Sequence, residues 1–479
     1  MLFNSYTFIF FFLPLSYFIY FFLLRQHLIA AAKGFLVFAS LFFYSWWNIA
    51  YLPLILGSML FNYIIGNSLN DNLHHLKIGK KKLLAFGILL NVALLGYFKY
   101  ADFLLKNVNA LTDASLHLAL PLAISFFTFQ QIAFLVDSYR GETREYDLLN
   151  YALFVTFFPQ LIAGPIVHHA EMMPQFASKW NLVRNYRNIA AGLFVFAIGL
   201  FKKVIIADTF AVWATNGFDK APTLNLFEAW ATSLSYTFQL YFDFSGYTDM
   251  AIGAALLFNI KLPANFNSPY KARSIQDFWH RWHMTLSRFL RDYIYIPLGG
   301  NRRGNGHTYL NLFITFLIGG IWHGAGWTFV FWGALHGIGI IVHRIWKQLG
   351  YAMPALLGWF ITFNFINITW VFFRAKEWDD ALKVLKGMFA GPVVLNHAWQ
   401  VPLAWTGLPF GAWLQHIYAD EQIFAWLLFA MLTAFLLPNS HYWRQTFRPN
   451  ALFLGWGILM ATYALLDLNK VSEFLYFNF

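Results

Sequence analysis

Three histidines in one apolar run are the residues of this sequence best suited to chemistry. His323, His336 and His343 lie in TYLNLFITFLIGGIWHGAGWTFVFWGALHGIGIIVHR, which runs from Thr308 to Arg344. An imidazole titrates near neutral pH and can accept or donate a proton during group transfer. Placing it among apolar residues is costly unless it has a partner or a function. His323, with glycines on both sides, is therefore the first candidate for proton transfer.

The glycines around His323 predict a break in the run. Its length of about 37 residues is too great for one perpendicular helix, since about 20 residues cross the membrane core. GGIWHGAG, with Gly319, Gly320, Gly324 and Gly326, is the natural interruption. We predict two short helices or a re-entrant element with His323 at the bend, covered by protein or a water-filled cavity. The competing interpretation is a packed histidine among small residues of a helix contact.

The other two histidines are weaker candidates. At about 1.5 Å per residue, His336 lies about 20 Å beyond His323 along a continuous helix. It would share the site of His323 only if the chain bends between them, and otherwise has a structural or supporting role. His343, beside Arg344, is expected to be solvated near the interface.

A basic passage, KARSIQDFWHRWHMTLSRFLRDYIYIPLGGNRRG, precedes this run. Arg281, Arg288 and Arg291 alternate with aromatic residues, and His280 and His283 are spaced to share one face of a helix. One interpretation is an interfacial helix on an anionic cytoplasmic membrane surface. A compatible one adds that the arginines, Arg281 and Arg288 above all, line the mouth of a pocket for an anionic donor such as the phosphates of a coenzyme.

We expect no metal site. His280, His283, His323 and His336 offer ring nitrogens, but no H-E-x-x-H motif occurs and the chain has no cysteine, which leaves no strong zinc pattern. The lack of cysteine also excludes a disulfide framework and a cysteine nucleophile. A Ser-His-Asp hydrolase is disfavoured because no G-x-S-x-G motif is present.

Two carboxylates stand in the apolar segment YFDFSGYTDMAIG, Asp243 and Asp249. Acids at membrane depth are paired or functional. Pairing of Asp243 with arginines of the basic passage is the simpler interpretation, and substrate binding is the alternative. Upstream, FFPQLIAGPIVHH contains Pro159 and the Gly164-Pro165 pair, which predict a broken helix around a cavity.

Composition indicates that these segments belong to a polytopic α-helical membrane protein. Of 479 residues, 59% are hydrophobic and 11% charged, with a mean hydropathy of +0.51, whereas soluble domains have about 25% charged residues. The net charge of +11 does not indicate nucleic acid, because the basic residues stand in short loops that set topology and meet anionic lipid headgroups. We predict one membrane-embedded all-α domain over 1–479, with a motif core at 157–345, around a central cavity.

The apolar runs predict roughly ten to thirteen spans, with additional re-entrant and interfacial helices. The loop with Lys77 and Lys80–Lys82 and the loop with Arg140 and Arg144 are cytoplasmic by the positive-inside rule, which places the N-terminus outside. The first run lacks the features of a cleaved signal peptide and is taken as a retained span. The candidate spans are Phe8–Leu24, Ile29–Trp47, Tyr51–Asn67, Leu84–Phe98, His117–Val136, Tyr151–Val167, Ile189–Ala207, Phe227–Ile260, Ala355–Phe373, Ile423–Pro438 and Ala451–Leu466, with an interfacial helix at Lys376–Phe389.

Four ordered segments resemble the membrane-bound O-acyltransferase superfamily: FFPQLIAGPI, YFDFSGYTDMAIG, FWHRWHMTLSRFLRDYIYIPLGGNRRG and GGIWHGAGWTFVFWGALHG. The likeness is to its bacterial branch of alginate O-acetylation proteins, peptidoglycan O-acetyltransferases and the D-alanyl-transfer protein of teichoic acids, and it is strong over Phe157–Gly337. The near-invariant histidine of that superfamily falls on His323, and its second signature position falls on His283. Where relatives often have arginine after AGPIV, this chain has His168.

The resemblance implies an enzyme of the bacterial inner membrane that moves an acyl group, most simply acetyl, to a hydroxyl of an exported or cell-wall polysaccharide. The donor would be acetyl-CoA or an acyl-carrier-protein thioester in the cytoplasm, with no permanently bound cofactor. An extracytoplasmic esterase-like partner is expected to complete delivery.

Within that scheme His323 is the general base, and His283 or a backbone amide at the bend hydrogen-bonds the thioester oxygen. Trp322, Gly324 and Trp327 are substrate-binding candidates around His323, together with Asp243, Arg281, Arg288 and His336. The alternatives are D-alanyl transfer to teichoic acid, a transporter of an acyl or lipid-linked substrate, and a scaffold subunit whose histidines are structural.

Overall fold

The chain forms an almost entirely helical structure, which confirms the predicted all-α class. The computed structural model describes residues 1–70, 79–108, 116–143, 147–162, 164–400, 404–407, 409–411, 413–469 and 475. Across these ranges the only strand pairing is a parallel contact of two short strands, β1 (Leu395–Asn396) and β2 (Phe410–Gly411). Lys77 and Arg144, used above to orient the chain, lie outside the described residues.

The first five helices are long and apolar, as predicted. A π-helical turn at Thr7–Phe12 leads into the first of them. They are α1 (Leu13–Arg25), α2 (Ile29–Ser45), α3 (Leu52–Asn70), α4 (Lys80–Val108) and α5 (Ile124–Arg140). α5 ends at Gly141, whose φ of 74° is left-handed backbone that glycine adopts without steric cost.

The next segment is broken, as its proline and glycine predicted. Instead of one span over Tyr151–Val167, α6 (Leu148–Thr156) and α7 (Phe158–Leu161) are separate short helices, and residues 164–168 are non-helical before α8 (His169–Ala177). Pro159 stands in the first turn of α7, where its missing N–H would have no helical partner.

Two helices that pack closely at their glycines form the centre of the molecule. α9 (Tyr186–Phe201) continues as a π-helical segment, Lys202–Ala207, and then α10 (Asp208–Thr215), before α11 (Leu226–Leu257) runs back. A Cβ on Gly199 would lie 2.5 Å from the carbonyl oxygen of Gly246, and one on Gly192 would lie 2.7 Å from that of Gly253. Such close backbones require small residues.

The basic passage is not the amphipathic helix that the sequence suggested. It contains two short helices, α12 (Ile275–Trp279) and α13 (Met284–Leu290), and a π-helical turn at Arg291–Tyr295. His280 ends α12, and His283 precedes α13 with a left-handed φ of 43°. The two histidines therefore do not share a helix face, and that prediction is wrong.

The remaining helices include the predicted break at the glycines. α14 (Asn305–His323) and α15 (Trp327–Gln348) are separate helices divided at Gly324–Gly326. The others are α16 (Ala355–Arg374), α17 (Trp378–Ala390), α18 (Gln422–Phe435), α19 (Ser440–Thr446) and α20 (Ala451–Leu466). α17 and α20 fall where the sequence placed an interfacial helix and the last span.

Within the described part of the chain, six helical segments are long and apolar enough to cross a membrane. A seventh crossing results if α18 and α19, which meet at an angle of 49°, form one bent span. The sequence predicted roughly ten to thirteen spans from apolar length. Among the described residues, α2 and α20 are shorter apolar helices, and the segment predicted to span at Tyr151–Val167 contains the short helices α6 and α7. The six are Thr7–Arg25, Ile49–Asn70, Lys80–Val108, Tyr186–Lys220, Trp327–Gln348 and Ala355–Arg374.

Candidate active site

His323 is the last residue of α14, at the break that the glycines predicted. α14 and α15 pack closely through Gly320 and Gly333, since a Cβ on Gly320 would lie 2.9 Å from Cα of Gly333 and 2.5 Å from the carbonyl oxygen of Phe329. The hairpin thus places His323 beside residues of the first turns of α15.

Aromatic rings enclose His323. Its ring centroid lies 4.8 Å from Trp322, 5.2 Å from Trp332 and 5.0 Å from Phe373. The residue is 6% exposed. Nδ1 of His323 and the indole nitrogens of Trp322 and Trp332 are buried with no hydrogen-bond partner among the described residues. A buried polar atom without a partner costs about 1–3 kcal/mol, and such atoms in a folded protein point to a ligand, a water or a catalytic role.

Helix α4 fixes the end of α14 through two neighbouring residues. Nζ of Lys99 donates to the carbonyl oxygens of Trp322 at 2.5 Å and His323 at 3.1 Å. The hydroxyl of Tyr100 donates to the carbonyl of Ile321 at 2.6 Å. The last carbonyls of a helix have no partner within it, and a cation there is also favoured by the helix dipole.

Sequence reasoning missed both α4 residues. The signal available was a lysine in a span otherwise suited to the membrane, because an ionisable residue at that depth needs a partner or a function. Nothing in the pattern indicated that Lys99 would reach α14, more than two hundred positions away in sequence.

His283 also lies near Trp322. Its ring centroid is 6.4 Å from that of Trp322 and the residue is 1% exposed. Nδ1 of His283 is 3.1 Å from Oδ1 of Asn265, and this oxygen also accepts from the backbone N–H and the hydroxyl of Thr285. Because Oδ1 is an acceptor, Nδ1 carries the proton and Nε2 of neutral His283 presents a lone pair.

That tautomer changes the chemistry available to His283. A neutral imidazole with its proton on Nδ1 can accept a proton or a hydrogen bond at Nε2, but cannot donate one there. The predicted donation from His283 to a thioester oxygen thus requires a protonated ring or the other tautomer. Asn265, which sequence reasoning also missed, is the residue that sets this preference.

His336 is closer to His323 than a continuous helix would allow, because the chain reverses at the break. Trp332 stands between the two rings, 5.2 Å from His323 and 4.6 Å from His336. Nδ1 of His336 accepts from the indole N–H of Trp279 at 3.1 Å, and the residue is fully buried. His336 therefore supports the aromatic wall around His323.

Three arginines of the basic passage, Arg281, Arg288 and Arg291, are paired with acids. Arg288 makes a two-point contact with Glu171, and both side chains are about one-third exposed. Arg281 pairs with Asp277 at 2.7 Å. Arg291 pairs with its neighbour Asp292 at 2.7 Å. To bind a phosphate-bearing donor, as predicted for Arg281 and Arg288, these arginines would have to exchange partners.

Asp243 does not pair with those arginines, and that interpretation is wrong. Its carboxylate lies 2.7 Å from Nζ of Lys203, which also contacts Asp208 at 2.7 Å. Asp249 pairs with Lys202 at 2.7 Å. The lysines come from the π-helical segment after α9, whose packing on α11 was not readable from the local pattern.

The remaining candidates lie at the break but differ in setting. Gly324 is buried, and a Cβ there would overlap the ring of Phe329. Trp327 is 54% exposed and donates to Oδ1 of Asn107 on α4 at 2.9 Å. Trp327 therefore faces the outer side of the break, away from the enclosed ring of His323.

Two cavities among the described residues lie away from His323. The larger, of about 940 Å³, is an apolar cleft between α9, α11 and the last helices, and Lys202, Trp426 and Tyr463 are among its lining residues. The smaller, of about 10 Å³, lies near Asp249, Asn265 and Arg444.

Comparison with known proteins gives a consistent set of relatives. Residues 74–374 match the model of the membrane-bound O-acyltransferase family. The chain is 49% identical to a peptidoglycan O-acetyltransferase of Helicobacter pylori, over 100% of this chain and 98% of the relative. It is 40% identical to a probable alginate O-acetylase of Pseudomonas aeruginosa, over 81% and 75%, and 28% identical to a teichoic acid D-alanyltransferase of Streptococcus thermophilus, over 53% and 68%.

Proposed function

Because this chain belongs to the membrane-bound O-acyltransferase family and is an acyltransferase, we propose that it transfers acetyl groups to hydroxyls of peptidoglycan. The acceptor is inferred from similarity along the whole chain. The relative named for peptidoglycan matches at 49% identity over the full length, the one named for alginate at 40% over 81%, and the one named for D-alanyl transfer at 28% over 53%.

The observation that carries the chemistry is the set of buried polar atoms at the break. Nδ1 of His323 and the indole N–H groups of Trp322 and Trp332 have no partner among the described residues. An acyl substrate with a carbonyl and a hydroxyl would supply such partners. A general base that accepts the hydroxyl proton accelerates transfer by about 10²–10⁴-fold.

The proposed reaction is a direct transfer with His323 as base. The acceptor hydroxyl gives its proton to His323 as its oxygen bonds to the thioester carbonyl carbon. The carbon–sulfur bond then breaks, and the proton on His323 passes to the departing thiolate. Lys99 and Tyr100 hold the backbone that carries the imidazole, and preorganised geometry of this kind supplies much of the rate in group transfer.

His283 fits a second proton-accepting position on the donor side of Trp322. With its proton held on Nδ1 by Asn265, Nε2 can accept a hydrogen bond from an amide of the donor arm. Backbone amides freed at Gly324–Gly326 are then the better candidates for stabilising the developing oxyanion.

The donor, topology and partner are further parts of the proposal. The donor is acetyl-CoA or an acyl-carrier-protein thioester in the cytoplasm, no cofactor is permanently bound, and the N-terminus lies outside the inner membrane. An extracytoplasmic esterase-like protein would receive the acetyl group or complete its delivery. Membrane lipids surround the apolar surface, and no nucleic acid is involved.

A second acceptor has a specific observation in its favour. The similarity to probable alginate O-acetylases covers 81% of the chain at 40% identity, so an exported polysaccharide with free hydroxyls is the alternative to peptidoglycan. D-alanyl transfer to teichoic acid rests on a shorter and weaker match. A transporter without bond making is disfavoured by the lack of a two-fold internal repeat in the sequence.

Mass spectrometry of esters in a deletion strain tests the acceptor. We expect O-acetylated muropeptides to disappear and to return with the wild-type chain but not with His323→Gln. Loss of acetyl esters from an exopolysaccharide alone, or loss of D-alanyl esters alone, would transfer the assignment to the corresponding alternative. Unchanged esters in every fraction would contradict the proposed function.

A further inference from the structure

A second cluster of ligand-type side chains lies where α5 meets the start of α8. One ligand atom each of Asp137, His168 and His169 lies within 4.8 Å of the others. Oδ2 of Asp137 is 2.7 Å from Nε2 of His168 and 3.4 Å from Nδ1 of His169. The hydroxyl oxygen of Tyr293 is 2.7 Å from Oδ2 of Asp137 and 2.8 Å from Nε2 of His168. Four atoms able to bind a metal thus converge on one place.

These separations are close to those of a coordination sphere. Bonds of about 2.0–2.2 Å from nitrogen and oxygen to Zn²⁺ place neighbouring ligands about 3.0–3.5 Å apart. The observed spacing of 2.7–3.4 Å around Oδ2 of Asp137 needs only a small widening to admit an ion. Two histidines and one carboxylate form a ligand set used for divalent first-row transition metals, with positions left for a phenol or water.

The nearby arginine, Arg140, contacts only one oxygen of Asp137. Arg140 approaches this oxygen, Oδ1, at 3.5 Å, and is about one-third exposed. Asp137 and His169 have side chains only 1% exposed, and a buried carboxylate is stable only when it is paired and hydrogen-bonded. Oδ2 already has contacts of 2.7 Å with Tyr293 and His168, and a metal ion there would replace these contacts by coordination.

The histidine rings have contacts compatible with this role. The His169 ring lies close to the backbone of Glu142. Nδ1 of His168 lies 3.3 Å from the backbone nitrogen of Ala170. Metal on Nε2 would place the proton of neutral His168 on Nδ1, so this long contact would be given up.

From this geometry we propose that Asp137, His168, His169 and Tyr293 bind a divalent first-row transition metal ion. The ion would join the end of α5, the start of α8 and the π-helical turn after α13. The non-helical residues 164–168, just before α8, also contact the loop of His283. The backbone N–H of Ile166 donates to the Thr285 hydroxyl at 3.0 Å. The site is separate from the proposed acyl-transfer residues and acts as a brace on that loop.

Metal content of the purified full chain tests this site. The chain is purified in detergent with a tag that contains no histidine, treated with a chelator, and titrated with Co²⁺ and Zn²⁺. We expect one equivalent to bind, with the visible absorption of protein-bound Co²⁺, and the ion to raise the melting temperature by mass action. The natural absence of cysteine removes thiolates as competing ligands.

Two variants and a matched control separate metal binding from a hydrogen-bonded cluster. His168→Arg keeps a donor towards Asp137 but removes a ligand, and Asp137→Asn keeps the shape but removes the charge. Each should lower metal affinity at least tenfold and lose the metal-dependent shift in melting temperature. His416→Gln, which alters a histidine paired with Glu228 at 3.0 Å outside the cluster, should bind metal as the wild type does.

The melting temperature of each variant without metal shows whether it is folded before binding is compared. No bound metal in the wild type, or equal binding by folded wild type and His168→Arg, would mean that the four side chains only hydrogen-bond to one another. Loss of acetyl transfer has no bearing on this outcome, because the readout is metal content.

Discussion

A single imidazole among aromatic rings carries the proposed chemistry. Replacing His323 with Gln keeps a polar side chain of similar size, so the fold should persist while proton transfer is lost. We expect acetyl transfer to fall by about 10²–10⁴-fold with a melting temperature close to that of the wild type. Turnover of an acetyl thioester by the purified protein, together with its thermal melt, checks this.

His343→Gln is the matched control for that change. His343 lies in α15 of the same apolar run, on a surface partly open to its surroundings, and should be replaceable without loss of activity. Equal activity of His323→Gln and wild type, with both proteins folded, would assign His323 to packing instead.

Lys99 acts on the same imidazole through the backbone. Lys99→Met removes the donor to the carbonyl oxygens of Trp322 and His323 and leaves two carbonyls without that partner. We expect kcat to fall by about 10²-fold, since a displacement of about 1 Å at a reacting group can cost that much, while KM for the donor changes less. Steady-state kinetics of Lys99→Met and Lys99→Arg measure this.

The conservative variant Lys99→Arg shows whether hydrogen bonding to the two carbonyls, or only the size of the side chain, matters for activity. Arginine retains donors for both carbonyls, so Lys99→Arg should recover at least part of the activity lost in Lys99→Met. If KM rises by the same factor as kcat falls in both variants, α4 does not position His323. The same conclusion follows if Lys99→Met is fully active.

At the scale of elements, the hairpin of α14 and α15 depends on two glycines in contact. Gly320→Ala would force a Cβ to within 2.5 Å of the carbonyl oxygen of Phe329. Overpacking of this kind costs about 1–3 kcal/mol, so the melting temperature should fall by several degrees. Gly306→Ala, in the same helix but with no atom within 4 Å of its new Cβ, should leave stability unchanged or slightly raised. A thermal melt of both variants in detergent measures this difference. Equal melting temperatures would show that the glycine contact does not contribute to stability.

Elements were predictable where local pattern determines them. The break at GGIWHGAG follows from glycine placement, α17 from its amphipathic pattern, and α20 from its apolar length. The basic passage was misread, because its aromatic and charged spacing suits one helix, whereas Asn265 and the left-handed backbone at His283 divide it. The partners of Asp243 and of the α14 carbonyls come from distant helices, α9 and α4, and no local pattern encodes such contacts.

At the scale of the molecule, α11 defines two opposite faces. Its 32 residues extend about 48 Å at 1.5 Å per residue, beyond the hydrocarbon core of about 30 Å. The backbone N–H of Leu226, at its start, donates to the carbonyl of Pro392. Asn259, just after its end, donates to the carbonyls of Asn181 and Val183. We therefore expect α11 to cross the membrane, with Trp180 and Trp405 on opposite sides of it.

The absence of cysteine allows this orientation to be measured directly. Trp180 and Trp405 are 89% and 83% exposed, so Trp180→Cys and Trp405→Cys should fold and present one thiol each. With the N-terminus outside, a membrane-impermeant maleimide should label Trp405→Cys once it reaches the outer face of the inner membrane, and Trp180→Cys only after that membrane is opened. The wild-type chain gives the unlabelled background. The reverse pattern would invert the topology and place the basic passage on the wrong side for a cytoplasmic donor, whereas labelling of both thiols in intact membranes would contradict a crossing by α11.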